Sequence, residues 1–238
     1  MNSRPRQQLL TVIAIALTFG SGAADVASFT RLGGVFTSVM TGNIVLWGLA
    51  AARGSLTLAS HTAVSIGGYI VGVAAGTWIG HHAKASSSSS SSPAGVLPGH
   101  VIWVLLAELT LLAGWTVGWE VTGASPAGWA QFGLLATLAA AMGTQSSAVN
   151  DMGLTQVSTT YLTGTLTGLV SSLTSPGQDT QHGLRRSGVL IGLVAGASLC
   201  GLFVATAADG VPALLLAAAI TTIVAATGWR WPRLRRGA

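Results

Sequence analysis

Charge is what this chain has least of. Only 7% of its 238 residues are Asp, Glu, Lys or Arg, against about a quarter in soluble domains. Half of the residues are hydrophobic, and the two facts together exclude an ordinary soluble fold. Cysteine is nearly absent. The single thiol, Cys200, has no partner for an intramolecular disulfide and reads as a small buried hydrophobe in an apolar run. Also missing are a nucleotide-binding glycine loop, an H-E-x-x-H pair and a G-x-S-x-G elbow, and no serine comes with a positioned base. The chain is therefore not read as an enzyme and no catalytic residue is assigned. His81 and His82 are adjacent but lack a third ligand at zinc spacing, so neither a metal nor another cofactor is expected. No basic stripe suited to nucleic acid is present. The Arg230 to Arg236 run reads instead as a cytoplasmic anchor.

What is present is a succession of apolar segments near the length of about 20 residues that spans a bilayer. Eight are counted: 8–29, 34–52, 61–80, 100–119, 127–149, 157–173, 187–207 and 211–229. Arg4 and Arg6, the run 9–20 and the small residues Ser21-Gly22-Ala23-Ala24 imitate a signal peptide. The first segment is still read as a retained helix, because residues 20–43 have counterparts later in the chain. A polar linker, His81 to Pro93 with the serine tract 86–92, separates the third and fourth segments. With the N-terminus in the cytoplasm and eight crossings, Arg4, Arg6, Arg53, Arg185, Arg186, Arg230, Arg233, Arg235 and Arg236 fall inside. Only Arg31 and Lys84 fall outside. That bias predicts both termini in the cytoplasm.

The two halves of the chain resemble each other. Val35, Thr37, Thr41 and Gly42 recur as Val157, Thr159, Thr163 and Gly164, all at a shift of 122. Gly68, Gly72 and Gly76 recur as Gly188, Gly192 and Gly196 at a shift of 120, and small residues at every fourth position allow close approach of membrane helices. Leu106-Ala107 and Gly118-Trp119 recur at a shift of 110. The expected fold is all-α: a polytopic membrane helical bundle of about eight segments in two tandem four-helix repeats. Residues 1–120, with a serine-rich extracytoplasmic loop at 82–99, form the first repeat and 121–238 the second. The two motif segments are short or glycine-interrupted. Because four is even, the halves are expected to share one orientation about an axis along the membrane normal.

Polar residues inside such segments are candidates for function, since uncompensated burial costs about 2–7 kcal/mol. Thr41, Gly42 and Asn43, with Thr163, Gly164 and Thr165, read as a paired site for solute or as hydrogen-bonding glue between helices. Asp25 is ionisable within a span, a functional hypothesis by default. The plainer reading puts it at the interface beside Arg31. Gln145 belongs to a second polar cluster with Ser146 and Ser147. Glu108, near the middle of its segment with Ala218 as repeat partner, is the candidate for proton coupling or else a hydrogen-bonded structural carboxyl. His61, His81, His82 and His100 read as solvated interfacial side chains.

Gly22-x-x-Asp25 followed by Val35-Phe36-Thr37-x-x-Met40-Thr41-Gly42-Asn43 resembles the YoaK-like family of bacterial integral membrane proteins. Met142-Gly143-x-Gln145 and Ser158-Thr159-Thr160-x-x-Thr163-Gly164-Thr165-Leu166-Thr167 resemble its second signature. The resemblance covers nearly the whole chain. It implies a multi-pass protein of the bacterial inner (plasma) membrane and no established biochemical activity. Two positions depart from the pattern: Ser146 follows Gln145 where Asn is usual, and Gly168 stands where Arg is expected.

Two functions are expected. One is a transporter or channel for a small polar or ionic solute, with the paired Thr-Gly motifs forming a site between the repeats. The alternative is a non-transporting scaffold or accessory subunit acting through its glycine-rich helices. The lipid bilayer is the expected partner in either case, homo-oligomer formation is left open, and nucleic acid is excluded.

Overall fold

A computed structural model describes residues 3–86, 97–152, 162–174, 180–206 and 210–227. The elements are all helices: α1 (Ser3–Arg31), α2 (Met40–Arg53), α3 (Leu56–Ser86), α4 (Gly99–Val121), α5 (Gly128–Asp151), α6 (Leu162–Thr174), α7 (Thr180–Thr206) and α8 (Val211–Thr227). Within α1, α3, α4, α5 and α7 lie the five stretches long and apolar enough to cross a membrane. The apolar α8 has 17 residues, about 25 Å at 1.5 Å per residue.

Contacts at the helix ends fix the direction of each one. On the face where α1 begins, the near face, Arg185 donates to Gln7 Oε1 at 3.1 Å, joining the starts of α1 and α7. The ends of α3 and α5 meet the start of α4 there, through Lys84 and His100 on Asp151 at 3.3 and 3.6 Å. The Leu97 N–H donates to the Ala226 carbonyl at the end of α8. An apolar cluster containing Ile13, Val101, Ala148 and Ala226 knits these ends together. On the opposite, far face, Gln131 at the start of α5 donates to the Arg31 carbonyl at the end of α1, at 3.0 Å. The same Gln131 meets His61 of early α3 at 3.2 Å, and Arg31 donates to the Val204 carbonyl of late α7 at 3.0 Å. A second cluster, with Leu32, Trp119, Leu134 and Val211, holds that face.

So α1, α4 and α7 run from near to far, and α3, α5 and α8 run from far to near. Helix α2 connects two far ends and α6 two near ends. Six helices thus run between the two faces, five of them holding stretches long and apolar enough to cross a membrane, while α2 and α6, the two motif segments, are short and each start and end toward one face. Apolar Val35, Phe36 and Val39 lengthened the second segment in the sequence, yet they belong to the non-helical turn 32–39. The helix proper has only 14 residues, about 21 Å against a hydrocarbon core of about 30 Å. Helix α6 has 13, and positions 157–161 of the expected sixth segment lie outside the described residues. Helix α5 runs antiparallel to α1, where the expected shared orientation of the halves has them parallel. The two ends of the serine-rich segment, Ser86 and Leu97, sit on the near face with the start of α1. Positions 87–96 lie outside the described residues, but their two flanks share a side with the start of α1, contrary to the expected separation.

Helix α3 packs on α5 and α1 on α7, with α4 on α5, α1 on α8, α4 on α8, α2 on α3 and α6 on α7. The first two pairs are backbone-to-backbone crossings. Gly68 and Gly72 lie on the backbone of Ala136 and Ala140, and Gly143 lies on that of Tyr69 and Val73. In the other pair, Gly192 and Gly196 lie on Ile15 and Phe19, and Gly22 on Leu193 and Ala197. A methyl at Gly72, Gly143, Gly22 or Gly196 would overlap a carbonyl oxygen of the opposing helix. In hydrocarbon this close packing, rather than water exclusion, holds helices together.

Candidate functional site

The turn between α1 and α2 begins where Gly33 and Gly34 take φ of 102° and 74°, angles that end a helix and that side chains disfavour. A Cβ at Gly33 would also collide with the His61 ring. The turn then runs back between the helices, where Thr37 and Ser38 are buried and their amides have no helical partners. Three helices supply what is missing. Asp25 Oδ1 accepts the N–H groups of Thr37 and Ser38, each at 2.8 Å. It also accepts the Thr37 hydroxyl at 3.3 Å, and Asp25 Oδ2 accepts the Ser38 hydroxyl at 2.6 Å. Ser28 donates to the Val35 carbonyl at 2.9 Å. Asn43 pairs with Phe36 as one backbone amide pairs with another. Its Oδ1 accepts the Phe36 N–H at 3.0 Å and its Nδ2 donates to the Phe36 carbonyl at 2.7 Å. The Asn43 Nδ2 also donates to Ser65 Oγ at 3.1 Å, and Ser65 donates to the same Phe36 carbonyl.

Leaving one such group unsatisfied costs about 1–3 kcal/mol, so the clamp is what allows a non-helical turn at this depth. Membrane interiors tolerate irregular backbone only where protein or a cavity surrounds it. Ser65 lies nine residues into α3, about 13 Å from its start. The start of α2 therefore points inward and its end returns to the far face. The structure gives Asp25 and Asn43 a positioning role toward the turn. Asp25 does not pair with Arg31, whose guanidinium reaches Val204 instead.

The second motif opens α6. Thr165 is buried like Asn43, while Thr163 and Gly164 are exposed like Thr41. The two Thr-Gly steps are not brought into one site, since α2 packs on α3 and α6 on α7. Position 168 has no side chain, yet a guanidinium fills its place. Arg186 Nη1 donates to the Gly168 carbonyl at 2.6 Å, and its Cζ lies 2.8 Å from where a Cβ would stand. The charge missing at that position in the sequence is supplied in space by α7. The other departure also has a partner, with Tyr69 donating to Ser146 Oγ at 2.8 Å.

Gln145 and Glu108 lie elsewhere, in the middle of the molecule. Gln145 donates to the Leu17 carbonyl at 3.0 Å, and its Oε1 accepts from Ser21 at 3.4 Å, tying α5 to α1. Both side chains border a small cavity of about 10 Å³ walled by α1, α4, α5 and α8. Glu108 is 3% exposed, and its Oε2 has no hydrogen-bond partner.

One residue escaped the sequence reading. His61 is buried, not solvated: it is bonded to Gln131 and to the Thr57 carbonyl, and stacked on Phe132 at 4.4 Å. Its spacing before a helical glycine ladder offered no signal for this, because both partners are set by the fold. Among the described residues no three His, Cys, Asp or Glu side chains gather where they could hold a metal ion.

Helices running face to face, glycine crossings and buried polar clamps define a multi-pass α-helical membrane protein. The chain belongs to the family described as Protein of unknown function (DUF1275), whose profile matches residues 13–227. It is similar to the UPF0700 transmembrane protein YoaK of Bacillus subtilis (strain 168), with 28% identity over 169 residues, covering 71% of this chain and 67% of that protein. No solved structure matches.

Proposed function

We propose that this protein is a transporter or channel for a small polar or ionic solute in the bacterial inner membrane, built from two four-helix repeats of inverted orientation. The observation that carries the proposal is the pair of short Thr-Gly helices, α2 of 14 residues attached at the far face and α6 of 13 residues attached at the near face. Interrupted segments at corresponding places in two halves mark the working parts of transporters. Support for the inversion comes from the packing. Each pair recurs four elements on: α3 on α5 answers α7 on α1, α4 on α5 answers α8 on α1, and α2 on α3 answers α6 on α7. The repeats are residues 1–120 and 121–238.

In this reading Asp25 and Asn43 hold α2 in its inserted position. Thr41, Thr163 and Gly164, on exposed faces of the two short helices, are the motif residues left to meet solute. If the chain beyond α8 stays on the side where α8 ends, this reading assigns nine basic residues to the near side (Arg4, Arg6, Lys84, Arg185, Arg186, Arg230, Arg233, Arg235 and Arg236) and two, Arg31 and Arg53, to the far side. The positive-inside rule then makes the near face cytoplasmic, with both termini on it. The scaffold alternative drew on glycine stripes free to take a partner, and within the chain those stripes lie against α5 and α1. The test is solute flux into reconstituted vesicles. Asp25→Ala and Asn43→Ala should each abolish flux while helical content is retained, and normal flux in both would remove the clamp from the mechanism.

A further inference from the structure

The cavity between α1, α4, α5 and α8 has room for about one water molecule, and two polar side chains border it. The Gln145 amide is already oriented by Leu17 and Ser21. The Glu108 carboxyl is nine-tenths buried with one oxygen unpartnered. Everything else on the wall is alkyl, thioether or glycine, including Leu112, Met142, Leu215 and Ala218. Among the described residues no charged group faces the carboxyl from α1, α5 or α8, and α3, which also packs on α4, contributes nothing to the wall. A carboxylate there has no counterion, and an isolated buried charge is neutralised in practice by taking a proton. A metal cation is a poor alternative, because it would need several oxygen ligands and the wall offers one carboxyl and one amide oxygen.

The cavity also adjoins the outside of the bundle. Ala16 and Ala218 form part of its wall and, on their other side, part of an open apolar groove of about 330 Å³ between α1 and α8. Two methyl groups are all that these positions place between the carboxyl and that groove. Ala218 is also the position matching Glu108 in the second half, so the chamber receives a carboxyl from one half and a methyl from the other.

We infer that this chamber is a proton-binding site. Glu108 takes a proton from hydronium to give the neutral carboxyl and one water, and returns it to water in the reverse step, with Gln145 orienting the water between them. The site deepens the transport reading by naming the proton as the coupling ion. Its test does not depend on flux, so either can fail alone.

Infrared difference spectra of the purified protein should show a protonated-carboxyl band that changes with pH, and Glu108→Gln should lose it. Because the glutamine keeps size and shape, that variant should fold with equal or higher thermal stability. If it fails to fold, Glu108→Asp is used and should shift the band. Three results would overturn the inference: no band assignable to Glu108, a band that stays constant across the whole pH range in which the protein is folded, or stabilisation of the wild type by sodium or potassium chloride over choline chloride that Glu108→Gln abolishes. A pH-dependent band with no flux of any solute would leave the proton site standing and remove the transport reading.

Discussion

The crossing of α3 with α5 and that of α1 with α7 are built alike but do not follow the register of the glycines. In sequence, Gly68, Gly72 and Gly76 align with Gly188, Gly192 and Gly196 at a shift of 120. In space, Gly68 on Ala136 corresponds to Gly192 on Ile15, and Gly72 on Ala140 to Gly196 on Phe19. The helices α3 and α7 thus correspond at a shift of 124, one helical turn further, while α1 and α5 correspond at 121, as Gly22 and Gly143 do. The third rung is then Gly76 on one side and Cys200 on the other. A ladder of glycines every fourth residue looks the same after moving by one turn, so it specifies a face of the helix but not a height. Height is set by the opposing helix, through Gly22 and Gly143, whose missing side chains each admit a carbonyl of the partner.

The equivalence can be broken first at its largest consequence. The proposed inversion of the halves requires the serine tract to share a side with the N-terminus. With Cys200→Ala as background, Ser89→Cys should react with an impermeant thiol reagent in inside-out vesicles and not in intact spheroplasts. Labelling from outside alone would restore eight crossings and end the comparison. Next comes stability. Gly72→Ala and Gly196→Ala place a methyl on matching carbonyls and should each destabilise the protein by about 3 kcal/mol, the upper part of the overpacking range, in detergent unfolding. A large inequality between them would mean that the 124 register is wrong. The smallest effect belongs to Gly188, matched to Gly68 by the sequence alignment. Its added methyl would meet only the flexible end of Ile15 at 3.1 Å. Gly188→Ala should fall within about 0.5 kcal/mol of wild type, whereas Gly68, with the Ala136 carbonyl at 2.7 Å, should not tolerate the same change.

Much of this architecture was legible in the sequence, and the misreadings have physical causes. Helix positions follow apolar runs, which is why six of the eight expected segments begin inside a helix or within one residue of its start. Direction was invisible, because the charge tally is blind to it. Turning α2 back exchanges Arg53 for Lys84 between the two sides and leaves nine against two unchanged. Hydropathy was equally blind to the turn 32–39, since Val35 and Phe36 are as apolar in a loop as in a helix. Asp25, Asn43, Gln145 and Glu108 were found because a polar side chain in an apolar run is visible locally. Their partners were not. The amides of Thr37 and Ser38 need Asp25 only once the chain has turned back on α1, and no spacing rule announces that.

The interior position of α1 bears on how the protein is made. Helix α1 precedes its neighbours α5, α7 and α8 in the chain and meets them only after they are synthesised. Until then Ser21 lacks its Gln145 partner on α5, and Asp25 is covered only by the turn that follows it. Nascent chains stalled before α7 should accordingly be held by the insertion machinery or handed to membrane proteases, and full-length chains should escape both.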